Sequence, residues 1–360
     1  MRIFSILTKL GLTLALVGFS TANATVMKHS PSADVAQAAM ENNETQTRSL
    51  AAFGSMAGAA PSVRPFADYE KTGYVFISDS FEFSSKTAKE AIAANLPKDV
   101  TLVIFMEDTS GAHATSLRTS FSKFLPADRL KLVELTNADS GFWARDGLPV
   151  PVIDEKAGTL SLVDARYYYP FQADDEVGTL MGAPVNSHKF NFEGGNFMAN
   201  DKGHCIIVNN RSHAKIPDSI FQTMYGCKQL DRLPHLSGIG HIDEHVRWVA
   251  EDTVLTDLPE YEKTLKAGGI KVVMLPRPDN EIETYVNSLV VNGVAIVPVF
   301  GEKNDAAALA VYTSVGLKAV GADSESLSND GEGSVHCITM TYPPVPFGAI
   351  LKSIGAREVH

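Results

Sequence analysis

Gly331-Glu-Gly-Ser-Val-His-Cys-Ile-Thr339 places Cys337 behind a glycine-rich loop, and it contains the last of five short polar motifs spread along the chain. The others are Trp143-Ala-Arg-Asp146, Glu193-Gly-Gly-Asn196, Gly240-His-Ile-Asp243 and Tyr285-Val-Asn-Ser288. From Asp146 to Glu193 is 47 positions, from Glu193 to His241 48, from His241 to Asn287 46 and from Asn287 to Cys337 50. A fixed period of this size marks a repeat or propeller architecture. Each unit mixes strands with a helix, so the fold class is α/β with pseudo-fivefold repeats. Equivalent placement of the motifs would gather all five on one axis.

Between the motifs, short runs of Val, Ile, Leu and aromatics alternate with helical stretches. Strands are expected at Tyr74–Ser78, Thr101–Met106, Leu130–Leu135, Lys271–Leu275, Leu289–Val299 and Val335–Tyr342. Helices are expected at Lys86–Leu96, Leu117–Leu125, Ile216–Tyr225, Glu260–Lys266 and Asp305–Ser314. No internal linker interrupts residues 69–360, which read as a single catalytic domain. Residues 25–68 are rich in Ala, Ser, Asn, Gln and Met without strand alternation, and are expected to be poorly ordered apart from a loose helix at Asp34–Asn42.

Residues 1–24 read as a secretory signal peptide. Arg2 and Lys9 are basic, Leu10–Phe19 is too short an apolar run to span a bilayer, and Ala22-Asn23-Ala24 is a small-x-small cleavage site. The alternative is a buried N-terminal helix. Cleavage implies a periplasmic or secreted protein with no membrane anchor. The net charge of −11 argues against nucleic acid or an anionic membrane as partner and suits a cationic substrate. Three cysteines, Cys205, Cys227 and Cys337, leave at least one thiol unpaired in an oxidising compartment. Cys205 and Cys227 are free to pair with each other or to be small buried residues.

Several residue types here carry chemistry. Cys337 beside glycines is approachable by a ligand, and as a nucleophile it needs a lowered pKa or a borrowed positive charge. An inert buried cysteine is the alternative. In Gly238-Ile-Gly-His-Ile-Asp-Glu-His-Val-Arg247, an extended backbone turns His241 and Asp243 to one side. That pair suits proton transfer beside a cation-holding carboxylate, metal binding together with His245, or a structural hydrogen bond. Asp146 near Trp143 offers a guanidinium two acceptor atoms and an aromatic face, or else caps an element. Glu193 is an orienting acid or a turn acid, and Asn287 a site amide or a strand-end amide.

Together the motifs resemble the agmatine deiminases and Porphyromonas-type peptidyl-arginine deiminases, over roughly residues 70–345. The resemblance implies the five-bladed α/β propeller of the guanidine-modifying (pentein-like) superfamily. It implies Cys337 as nucleophile, His241 as general acid/base, and Asp146 and Asp243 as the carboxylates gripping the guanidinium. Glu193 would support the His, Asn287 would be the active-site amide, and no metal or other cofactor would be required. Departures are the Gly-Leu-Pro of Gly147–Pro149, Glu332 in place of a loop glycine, and Arg166-Tyr-Tyr-Tyr-Pro170, which retains a single arginine as a substrate-binding candidate. An inward-pointing Glu332 would raise the thiol pKa.

The expected function is therefore an exported deiminase converting agmatine or a peptidyl arginine to its ureido product plus ammonia through a covalent Cys337 intermediate. Alternatives are amidino transfer on the same fold, a cysteine peptidase, and a non-catalytic binding protein.

Overall fold

The computed structural model describes residues 28–52, 62–171, 185–353 and 356–360. The expected signal peptide lies outside the described residues. Among the described residues no helix is long and apolar enough to cross a membrane.

Five sheets repeat one connection pattern, an antiparallel pair followed by a parallel pair. Three of them are the minimal version. Met198–Ala199 pairs antiparallel with His204–Asn209, which runs parallel to Gln229–Pro234. Val246–Ala250, Thr253–Thr256 and Lys271–Met274 repeat the order, as do Leu289–Val291, Val294–Val299 and Lys318–Asp323. Parallel strands need a crossover, and the helices Asp218–Met224, Pro259–Ala267 and Asp305–Ser314 supply these three. A four-stranded sheet holds Val63–Pro65, Val150–Asp154, Leu160–Arg166 and Val185–Asn191. The last sheet joins the two ends of the chain. Met340–Tyr342 lies antiparallel to Tyr74–Ser78, followed by Thr101–Met106, Leu130–Glu134 and the edge strand Arg357–Glu358.

Burial follows the same cycle. Val152 and Val163 of the four-stranded sheet share a buried cluster with Cys205 and Ile207 of the next. Val208 and Leu233 then meet Trp248 and Val254. Leu255 meets Val290 and Val297. Leu289 and Ile296 meet Val75, Ile77 and Ile104. Phe76 and Phe105 meet Leu162, closing the series. Each strand set thus buries one face against the preceding sheet and one against the following, which is why the inner strands read as near-continuous apolar runs.

Most expected elements fall within a residue or two of their predicted bounds. The helix expected at Leu117–Leu125 spans Gly111–Phe121, started by the Ser110 side chain accepting from His113 N. The strand expected over Val335–Tyr342 begins only at Met340; before it Thr339 N bonds His336 O in a tight turn. Residues 25–68 hold more structure than composition suggested. A 20-residue helix, Ala33–Ala52, docks through polar side chains. Asn43 Nδ2 donates to Asn191 O (2.9 Å) and Ser212 O (3.0 Å), and Thr47 Oγ1 to Lys215 O (2.6 Å). A helix held by amides and hydroxyls leaves no apolar stripe to be read. Cys205 and Cys227 form a disulfide, with Cα atoms 5.6 Å apart.

Candidate active site

Every motif occupies the same point of its unit, the turn leading into the first strand of an antiparallel pair. Ala144–Gly147 precedes Val150–Asp154, Gly194–Asn196 precedes Met198, Ile242–Glu244 precedes Val246, Asn287 precedes Leu289, and the His336–Cys337 turn precedes Met340. Five equivalent turns bring Asp146, Glu193, His241, Asp243, Asn287 and Cys337 into one buried cluster. His241 and Asp243 reach it from a tight turn rather than an extended strand.

The surroundings of Cys337 are specific. Asn287 Nδ2 donates to Cys337 Sγ at 3.1 Å, and its Oδ1 accepts from the backbone of His336 (3.0 Å) and Cys337 (3.3 Å). One amide therefore shapes the turn and holds the sulfur. Asp243 Oδ2 lies 3.7 Å from Sγ and 2.6 Å from His336 Nδ1. Burial disfavours charge on Asp243, but His336, His241 and Arg247 outweigh it and bring its pKa down to about 2. Burial and the Asp243 charge push the Cys337 thiol up to about 12, against the opposing pull of His29.

On the opposite wall His241 Nε2 meets Glu193 Oε2 at 2.9 Å, and Nδ1 lies 3.7 Å from Asp146 Oδ1. Burial opposes the imidazolium, yet Glu193 and Asp146 raise its pKa to about 9. Gly195 separates the two walls. A Cβ there would stand 2.7 Å from Asp146 Oδ1 and 2.8 Å from His241 Nδ1, so only glycine fits. Its N–H donates to Asp146 Oδ1 at 2.9 Å. Two buried polar atoms facing this space, Asp243 Oδ1 and His241 Nδ1, have no hydrogen-bond partner among the described residues.

Two sequence candidates lie elsewhere. Arg166 is exposed at a strand end beneath the N-terminal helix, outside the cluster. His245 turns away, with Nδ1 2.8 Å from Asp257 Oδ1 and Nε2 2.8 Å from Ser237 Oγ, so it shares no ligand set with His241 and Asp243. Glu332, in the left-handed region at φ 67°, directs its carboxylate outward to Lys28 Nζ at 3.2 Å rather than at the thiol.

Other contributors carried no signal of their own. Asp68 gathers Arg247 Nη1 (2.7 Å), His336 Nε2 (3.0 Å) and Arg145 Nη2 (3.7 Å) behind the nucleophile. It precedes the first recognisable strand. His29 enters from the N-terminal segment, bonding Asp146 and stacking on Trp143. His29, Asp146 and His241 have ligand-type atoms within 4.8 Å of one another, a set able to hold a metal only if the direct His29–Asp146 bond opened.

A family model for the Porphyromonas-type peptidyl-arginine deiminases matches residues 80–343. The agmatine deiminase of Pseudomonas aeruginosa (strain UCBPP-PA14) is 26% identical, over 59% of this chain and 77% of its own. Among solved structures, the C. jejuni agmatine deiminase superposes with a TM-score of 0.62 at 16% identity, covering 80% of this chain and 98% of its own. The agmatine deiminase of Enterococcus faecalis does so with 0.64 at 18%, over the same shares. The likeness of fold and the family match agree with the motif geometry: the chain belongs to the Porphyromonas-type peptidyl-arginine deiminase family, hydrolases of a guanidinium C–N bond.

Proposed function

We propose that this protein is an exported guanidine deiminase working through a covalent Cys337 intermediate on a five-bladed α/β propeller. The observation that carries the reading is the pair of unpartnered buried atoms, Asp243 Oδ1 and His241 Nδ1, beside Asp146 and the thiol. Buried polar atoms left unpaired are costly, so such a space is built for a ligand bringing several N–H groups. A guanidinium supplies them and is planar and cationic, which suits two carboxylates and the Trp143 face.

The steps follow from charge. The bound cation favours the Cys337 thiolate; the thiol proton leaves to solvent, and the sulfur forms an S–C bond to the central guanidinium carbon. The C–N bond breaks, and His241, charged through Glu193, gives its proton to the departing ammonia. Neutral His241 then takes a proton from water, whose oxygen attacks the thiouronium carbon. The C–S bond breaks as the adduct's hydroxyl proton passes to solvent, returning the thiolate, the charged His241 and the neutral ureido product. Asn287 holds the sulfur throughout.

The cyclic sharing of apolar clusters supports the propeller. The Cys205–Cys227 disulfide supports an oxidising, periplasmic or extracellular location. The agmatine deiminases among the relatives favour a small guanidine substrate, whereas export favours an environmental guanidine or an arginine-containing peptide. Ammonia release from agmatine, arginine and an arginine peptide, with Cys337→Ser as control, tests the reading. Release from at least one substrate that vanishes in the variant is expected. Silence on all three, or release that survives Cys337→Ser, would overturn it.

A further inference from the structure

His29 lies where a substrate's guanidinium belongs. Its ring is 1% exposed and stacks on the Trp143 indole, centroids 4.4 Å apart and planes 15° from parallel. Nε2 bonds Asp146, and the ring meets His241 edge-on at 5.1 Å. A flat cationic group lying on an indole with an N–H aimed at a carboxylate copies the contacts of a bound guanidinium. Both cannot occupy that space.

The surrounding chain is built to deliver this ring. His29 N donates to Gly331 O at 2.9 Å, and Nδ1 donates to Glu332 O at 3.2 Å. Lys28 Nζ pairs with Glu332, and Tyr169 Oη donates to Lys28 O at 3.2 Å. Gly333 leaves room for both stacked rings, since a Cβ there would stand 2.4 Å from the Trp143 indole and 2.9 Å from His29 Nδ1. Glu332, where the resemblance implies a loop glycine, and Tyr169 thus both hold this segment. Ser30 borders two cavities at the surface, one of about 310 Å³ against Glu193 and His241 and one of about 390 Å³ against Ile282 and Glu332. The segment therefore lies between these two cavities, at a border it shares with Gly238 and Ile239. The docked helix Ala33–Ala52 follows directly and fixes its far end.

We propose that Lys28–Pro31 is a built-in competitor, with His29 occupying the guanidinium seat, and that substrate binds only when this strap lifts. The name of the seat rests on the function proposed above; the occupation of a buried, thiol-bearing site by His29 does not. A tethered occupant lowers the apparent affinity for substrate in proportion to the fraction of molecules in which the seat is free.

The test is agmatine binding by calorimetry to full-length Cys337→Ser, alone and combined with His29→Ala or with Glu332→Gly. The first removes the occupant, and the second loosens the strap while leaving the seat intact. Both combinations are expected to bind about tenfold tighter or better. With Cys337 present, His29→Ala should lower KM and leave kcat nearly unchanged. A fall in kcat would mark His29 as a catalytic group and overturn the proposal. Unchanged agmatine affinity in both combinations would also overturn it, and the deiminase reading would stand. Iodoacetamide labelling separates the remaining case, because Cys337 is the free cysteine. If no variant binds agmatine but His29→Ala speeds labelling despite losing a positive charge beside the sulfur, the strap is upheld and the deiminase reading falls. No binding with no gain in labelling sinks the strap as well.

Discussion

His241 Nε2 stands 2.9 Å from Glu193 Oε2, joining the lead-in turns of two successive sheets, with both side chains buried. The contact orients the ring and keeps it charged to about pH 9 despite burial. Because this pKa is raised above the ordinary 6.5, the imidazolium persists through neutral pH and is lost as pH climbs through about 9. Any stability it contributes is likewise full below 6.5 and gone above 9. Glu193→Gln should therefore move the alkaline limb of the kcat profile to lower pH and cut kcat about a hundredfold. An unmoved limb would mean that His241 is not the acid.

Asp243 presents one oxygen to His336 and leaves the other facing the seat. Asp243→Asn keeps the shape and removes the charge. We expect kcat/KM to fall about a hundredfold or more, the loss associated with uncoupling a buried charge pair. With the pKa at about 2, wild-type Asp243 stays ionised throughout the working range, so the deficit of the variant should be the same at every pH across it and not be rescued by raising pH. Rescue at alkaline pH would contradict the assignment.

Behind the nucleophile, Asp68 neutralises Arg247 and Arg145. Removing it strands two buried guanidinium groups, a class of change that costs about 3–5 kcal/mol. Asp68→Ala should lower the unfolding free energy by that amount, read as a lower urea midpoint at unchanged slope. Adding Arg247→Met should recover part of the loss, and strict additivity of the two changes would argue that the pair is not coupled.

The Cys205–Cys227 bond closes a loop between residues 22 positions apart. Loop-closure entropy puts its contribution at about 3 kcal/mol. Reductant, or the double change to Ala, should lower the denaturation midpoint while sparing ammonia release, because the pair lies in the cluster around Ile207 and Phe221, away from Cys337. Loss of activity at full stability would place the disulfide in the site after all.

Much of this was legible beforehand because the chemistry repeats at a fixed period. Asp146, Glu193, His241, Asn287 and Cys337 each stand out as polar residues in apolar surroundings, and equal spacing forces them to equivalent points of equivalent units. Arg166 misled because its type suited a substrate tail, whereas its strand end faces outward. Asp68 and His29 were unreadable for the opposite reason. Neither belongs to the repeat, and each acquires its role from tertiary contacts more than a hundred residues away. The Ala33–Ala52 helix is anchored by amides, which leave no periodic apolar trace.

Met340–Tyr342 completes a sheet begun at Tyr74–Ser78, and Cys337 lies just ahead of it. A polypeptide is made from its N terminus, so the partner of Tyr74–Ser78 is among the last strands to be synthesised. This strand and the sulfur therefore arrive together, close to the end of the chain. A chain stopped short of residue 337 therefore lacks the Cys337 sulfur and the strand that pairs with Tyr74–Ser78 alike, so truncation removes thiol and sheet edge in one step.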